Sequence, residues 1–448
     1  MNHGGISGVA LSVTHKIPML KQLILILGFI LIAIGCQAQP PPTPTTEPSP
    51  ADHSGRLAYV GGDGNIYVTT ADRSAIIAVT DDATAPPENP GFSYHRVAWS
   101  PDGQLAYAGV ERTGNRANST LYVAESPGAS PRVIAQDDEH FFIYIHWSPV
   151  PCPDRPQCRQ LAYLIEKEAG QIGLHLVEIE ADRVNNRLLG QGRPFYFGWM
   201  PDGQQMLWHT GGSSRFNPEA RLASYDIEHD VIEALPHSPA SFLSPAGSPQ
   251  GDQWLAAITE EDDDTLQSFG VEPLLSVART NAGHQTAFVW SPDGRQVAYA
   301  AVSNLADPFY GPIHIFDVET GEARQLTGNT FRVNGFFWSP DGQKLAYLHQ
   351  VATEESWLQW RVVDLTTGVE RGYNVFTPSY QMRYVIASFD QYAQSHRFWS
   401  PDGRYLVYAD QDKDRVERVY LVDTLAERGT PPIFIDEGTI GFWSWNYP

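Results

Sequence analysis

The chain has 448 residues, 42% of them hydrophobic and 12% aromatic, which is enough apolar surface to bury a large core. Its 52 acidic residues outnumber 30 basic ones, and the resulting formal charge of −22 argues against a nucleic-acid binder, which needs a basic footprint to displace counterions. With 38 Gly and 34 Pro, the composition suits a turn-rich β protein.

In chain order, the first feature is a targeting segment. Lys16 and Lys21 flank a short positive region, residues 23–34 form a run of twelve mostly aliphatic residues, and Cys36 follows directly after Gly35. Twelve apolar residues are too few to span a bilayer but suit a signal peptide. The ending is similar to a bacterial lipobox, with Ala33 where that motif usually has Leu, and implies lipidation of Cys36. Residues 1–36 are therefore read as a lipoprotein-type signal peptide, with Met19 as its true start because residues 1–18 add length that export does not need. Residues 37–54 carry Pro40, Pro41, Pro42, Pro44, Pro48 and Pro50 and read as a stiff tether. At polyproline-II rise it could hold the C-terminal domain about 50 Å from a membrane.

From residue 55 onward one phrase recurs. Trp-Ser-Pro-Asp-Gly stands intact at residues 99–103, 290–294, 338–342 and 399–403, each copy followed by a strand-like run. Pro sets φ at the second turn position, Asp suits the third, and Gly supplies a left-handed residue, so Asp102, Asp293, Asp341 and Asp402 read as turn formers. Residues 199–203 differ at Met200 alone. Trp147, Ser148 and Pro149 open a copy enlarged as far as Arg159, and residues 242–245 look like a worn copy. The ends of the chain are complementary: residues 55–60 have the post-turn strand without a preceding Trp-Ser, and residues 442–445 have the pre-turn strand with nothing after it.

Post-turn strands beginning at Leu57, Leu105, Leu161, Met206, Leu255, Val297, Leu345 and Leu406 lie 42 to 61 residues apart. That periodicity and the split terminal unit predict an all-β fold: an eight-bladed β-propeller of four-stranded blades over residues 55–448, with seven blades as the alternative. The C-terminal strand completes the first blade and removes its exposed edge. The phrase, its Leu-Ala-Tyr continuation and strands such as residues 313–318 resemble the WD40-like PD40 repeat of TolB-type propellers, a repeat also found in tricorn protease and prolyl-oligopeptidase-type peptidases. The resemblance covers the propeller only. The tether stands where TolB-type proteins carry an α/β domain, and no Gly-x-Ser-x-Gly elbow of a peptidase domain is present.

Candidate chemistry is sparse. Cys152 and Cys158, inside the enlarged turn, are expected to form a disulfide in an exported protein. His95, His146, His284 and His396 stand four, one, six and three residues ahead of their Trp, so their side chains point to different faces, and they read as core or rim histidines. Residues 260–264 and 410–414 are acidic and read as solvated hairpin loops; Asp410, Asp412 and Asp414 have calcium-loop spacing, but Arg415 replaces the required Gly. Tyr373, Phe376, Tyr380, Tyr384, Phe389 and Tyr392 crowd residues 366–395, with Arg383 among them and Arg397 just beyond, and predict either an interface or a plug over the channel.

No catalytic set, cofactor site or metal site is assigned. The candidate ligand-binding residues are His95, His284, Arg332, Tyr380, Arg383, Tyr384, Tyr392 and His396. The expected protein is a monomeric, extracytoplasmic lipoprotein, anchored by lipid at the outer face of the cytoplasmic membrane or at the outer membrane. Its propeller binds a protein, peptide or glycan through loops at residues 111–119, 211–220, 260–270, 303–312 and 366–395. The alternatives are a propeller lyase, lactonase or hydrolase using His95, His284, Arg332 and His396 at the channel mouth, and a structural envelope protein without a ligand.

Overall fold

The computed structural model describes residues 55–114, 116–305, 309–351 and 356–445; the signal segment, Cys36 and the tether lie outside them. Within these residues each expected post-turn strand forms, and the strands assemble into seven sheets. Six sheets are four-stranded and the seventh has six strands.

The expectation of eight four-stranded blades is therefore corrected to seven, the alternative count. The physical reason is one long strand, Ile433–Trp443, that serves two repeat units at once. Its first part pairs with Glu417–Asp423, placing Glu437 opposite Arg418; its second part pairs with Leu57–Gly61, placing Trp443 opposite Leu57. Gly438 sits where the strand passes from one partner to the other, and a Cβ there would lie 2.6 Å from the Val60 carbonyl oxygen. The two ends of the domain are thus joined in one sheet, as the complementary terminal halves predict.

Burial falls from the inside of each sheet to its rim. The inner strand Thr286–Trp290 and the second strand Leu57–Gly61 are buried throughout, whereas the outer strands Val231–Ala234 and Ala323–Gln325 are exposed throughout. This gradient matches the sequence, since the inner two strands read as apolar runs and the outer ones do not. The core packs between neighbouring sheets.

The all-β expectation misses two helices. The stretch expected as a loop at residues 366–395 instead contains α1 (Tyr380–Ile386) and α2 (Phe389–Ser395). Ser379 caps α1 by accepting a hydrogen bond from the Met382 N–H at 3.0 Å, and its hydroxyl also donates to the Thr439 carbonyl. Met382, Val385, Ile386, Phe389 and Tyr392 are buried at helical three- and four-residue spacing. The Phe389 ring packs edge-on against Phe336, Phe337 and Tyr310, and Tyr392 packs against Tyr144, so the helices contact inner strands of several sheets. The plug expectation is the one this packing follows. Among the described residues no helix is long and apolar enough to cross a membrane.

Strand assignments near residue 260 also change. Residues 260–270, expected as a loop, instead supply Asp263–Gly270, the third strand of its sheet, and Ser276–Asn281 is the outer one.

Candidate functional site

The repeated phrase builds a repeated object. In each intact copy the Ser hydroxyl contacts the Asp carboxylate two residues on, at 2.5 to 2.7 Å, and the Gly N–H donates to the Ser carbonyl. The glycines have φ between +67° and +88°, the left-handed conformation that the turn demands. Asp102 additionally pairs with Arg159 at 2.6 Å. These aspartates are committed to their turns.

The Trp of the phrase has a task that sequence reasoning did not foresee. Its indole N–H donates across to the preceding unit, to the carbonyl of the residue before that unit's own Trp. Trp147 bonds Ala98, Trp199 bonds His146, Trp338 bonds Val289 and Trp399 bonds Phe337, all at 3.1 to 3.3 Å. Trp99 bonds Phe442 in the same way, across the closure. Trp290 bonds Ala246 at 3.1 Å, which places Gly247 at the Trp position of the worn copy. That copy is therefore residues 247–251, not 242–245: the Gly251 N–H donates to the Ser248 carbonyl and Gly251 has φ +77°. A Cβ on Gly247 would meet the Met200 sulfur at 2.9 Å, so the ring of indoles has a gap here.

Together these turns surround a cavity of about 400 Å³ on the turn side of the channel. Its walls are indoles, including Trp99, Trp147, Trp199, Trp290, Trp338 and Trp399, and the prolines that follow them, including Pro101, Pro149, Pro201, Pro249, Pro292 and Pro340. Its floor is the end of α2 and the residues after it, Ala393 to Phe398, together with His146. Trp445 lines the cavity and donates its indole N–H to the Trp99 carbonyl at 3.1 Å. On the floor the Ser395 hydroxyl lies 2.6 Å from His396 Nδ1, and the Tyr144 hydroxyl donates to Ser395 at 2.7 Å. Burial pushes both His146 and His396 down to about 3, so each is neutral at physiological pH.

The residues expected to bind a ligand do not converge. His95 is buried beside Arg112, at 3.1 Å, and Gln381, and burial lowers its pKa well below the ordinary value. His284 contacts the Val302 carbonyl, Arg332 lies over the Phe309 ring, and His396 is in the funnel floor. His95, His284 and His396 share no hydrogen bond or ring contact with one another. Tyr384 and Tyr392 belong to the plug: Arg96 stacks on the Tyr384 ring at 4.2 Å, and burial raises the pKa of both phenols. Arg383 is exposed on α1, and Tyr380, 54% exposed, is the one tyrosine of the set left open to solvent. Cys152 and Cys158 are bonded, with Cα atoms 5.3 Å apart. Among the described residues no group of three or more His, Cys, Asp or Glu is placed to hold a metal ion.

The acidic runs are only partly solvated. Asp264 is fully buried, pairs with Arg215 at 2.9 Å and accepts from the Gly283 N–H at 2.8 Å. Asp410 is partly buried and accepts from the Thr377 N–H at 3.0 Å.

No protein-family model matches the chain, and no curated protein matches it in sequence. Among solved structures, a prolyl endopeptidase is similar at 11% identity over 78% of this chain and 50% of its own, with a TM-score of 0.52. TolB from Acinetobacter baumannii is 16% identical over 70% of this chain and 76% of its own, with a TM-score of 0.38. A eukaryotic initiation factor is 12% identical over 88% and 98%, with a TM-score of 0.49. Likeness at such identities concerns the fold. The chain is a β-propeller of seven sheets.

Proposed function

We propose that this chain is an exported, lipid-anchored propeller that binds a protein, peptide or glycan in the funnel on its turn face, by recognition rather than turnover. The funnel carries the reading: its about 400 Å³ falls within the roughly 300–1,000 Å³ of pockets that hold small ligands, and its walls are aromatic and proline rings held by inter-unit hydrogen bonds. Rigid aromatic surfaces are favoured at binding hot spots because they cost little entropy to order. On this reading the partner approaches opposite the variable-loop face, where Tyr384 and Tyr392 belong to the plug. Lipidation at Cys36 and the tether of residues 37–54 belong to the same proposal. Support comes from the apolar run before Cys36 and from the Cys152–Cys158 pair, since disulfides persist in oxidising compartments.

The test is capture from envelope extracts with three baits: the wild-type chain, a Pro201→Glu/Pro249→Glu variant that brings charge into the funnel mouth, and Tyr380→Ala on the plug side. A partner lost with the funnel variant and kept with Tyr380→Ala is the expected result. The opposite pattern moves the site to the loop face, and a partner kept by both variants removes the funnel from the reading.

A further inference from the structure

We infer that the funnel receives the free C-terminal carboxylate of a peptide with apolar last residues, and that Arg397 is the group that binds it. This deepens the binding reading above and rests on it.

Four observations converge. The chain has 52 acidic and 30 basic residues, yet among the described residues no Asp or Glu lines the funnel, and Arg397 is its one charged side chain. Second, among the described residues Arg397 has no charge partner. Its Nε is sealed from solvent without a hydrogen bond, and its guanidinium lies over the Trp445 ring at 4.2 Å. Other partly buried arginines are met by their surroundings: Arg215 by Asp264 at 2.9 Å, Arg361 by Glu370 at 2.6 Å, Arg96 by the Ile143 carbonyl at 2.9 Å. An unpaired cation in an apolar recess is costly, and a carboxylate delivered to it is held by the charge-assisted, fork-shaped bonds that guanidinium favours. Third, Arg397 stays charged at neutral pH, although burial lowers it to about 10, while the floor histidines are neutral. Fourth, the walls are apolar, so what accompanies the carboxylate must be apolar as well.

These features select the end of a peptide over an acidic stretch. The net charge of −22 repels a partner bearing several carboxylates, whereas one terminal carboxylate beside apolar side chains matches a single cation set among indoles and prolines.

The test is calorimetric titration of the full chain in detergent with N-acetylated tripeptides ending in Leu, Phe or Pro, each as free acid and as amide. Acids should bind about ten- to a hundredfold more tightly than their amides, the range for a hydrogen-bonded charge. Arg397→Gln should erase that ratio, and Arg397→Lys should restore part of it. The ratio in the wild-type chain needs no variant, so it decides the matter even if Arg397→Gln folds poorly. Equal binding of acids and amides overturns the carboxylate while leaving the funnel a peptide site. No binding by any peptide overturns the inference, and the envelope capture then reports separately on the binding reading. Acid binding seen only after truncation behind Trp445 makes the chain's own C-terminus the occupant and overturns an external ligand.

Discussion

Asp390, in the first turn of α2, is fully buried in the plug at the heart of the channel. Its carboxylate accepts from the Gln391 N–H at 3.0 Å and, weakly, from the Ser244 N–H at 3.5 Å. The titratable groups that interact with it, Tyr144, Tyr196 and Tyr310, are neutral phenols, each with its pKa raised by burial. With no cation to offset it, burial raises the Asp390 carboxyl from 3.8 to about 7. The folded chain therefore keeps a proton that the unfolded chain releases near pH 4. Stability from this group is complete below that pH, falls as pH rises from about 4 to about 7, and is flat above. A shift of about three units corresponds to about 4 kcal/mol. For a domain of roughly 390 residues that is about 5 °C in melting temperature. Asp390→Asn cannot ionise and should lose this slope. Thermal melts of both proteins between pH 4 and pH 8 test it, reading the difference between them so that the other carboxylates cancel. The wild type should lose about 5 °C relative to the variant across that window. Parallel profiles would mean that Asp390 is solvated or already ionised, and the reasoning would fail.

Reduction, or Cys152→Ser with Cys158→Ser, opens a loop whose ends are six residues apart; it should cost about 2 kcal/mol in the chain-entropy model, read as a lower denaturation midpoint without loss of the fold. Trp290→Phe keeps an aromatic ring but removes the indole N–H that the Ala246 carbonyl accepts, which should cost about 1–3 kcal/mol in chemical denaturation. Arg215→Met strands the fully buried carboxylate of Asp264 and should cost about 3–5 kcal/mol, while the double change with Asp264→Leu should recover much of that loss.

The parts of this protein that were legible from residues are those whose physics is local. A Pro-Asp-Gly turn is specified by the backbone preferences of adjacent residues, so its position, and the strand on either side of it, follow from a few letters. Ring closure was legible because residues 55–60 and 442–445 are complementary halves of one pattern. The α1–α2 plug had a signal as well, in Ser379 as a cap and in the spacing of Met382, Val385, Ile386, Phe389 and Tyr392, which the surrounding β repeats overshadowed.

The remainder was settled by three-dimensional apposition. Two repeat units merge into one sheet because Ile433–Trp443 is long enough to pair on both sides and has Gly438 at the crossing, a consequence of register rather than composition. The worn turn lies at residues 247–251 because the Trp290 indole must find the Ala246 carbonyl, a bond between units that no single unit reveals. The funnel exists only once the units close around the channel, and the lack of a partner for Arg397 among the described residues emerges only in the folded ring. Turn chemistry acts over a few bonds and is written in the chain, whereas a cavity and an unmet charge are properties of what surrounds a residue, and only the folded ring supplies those surroundings.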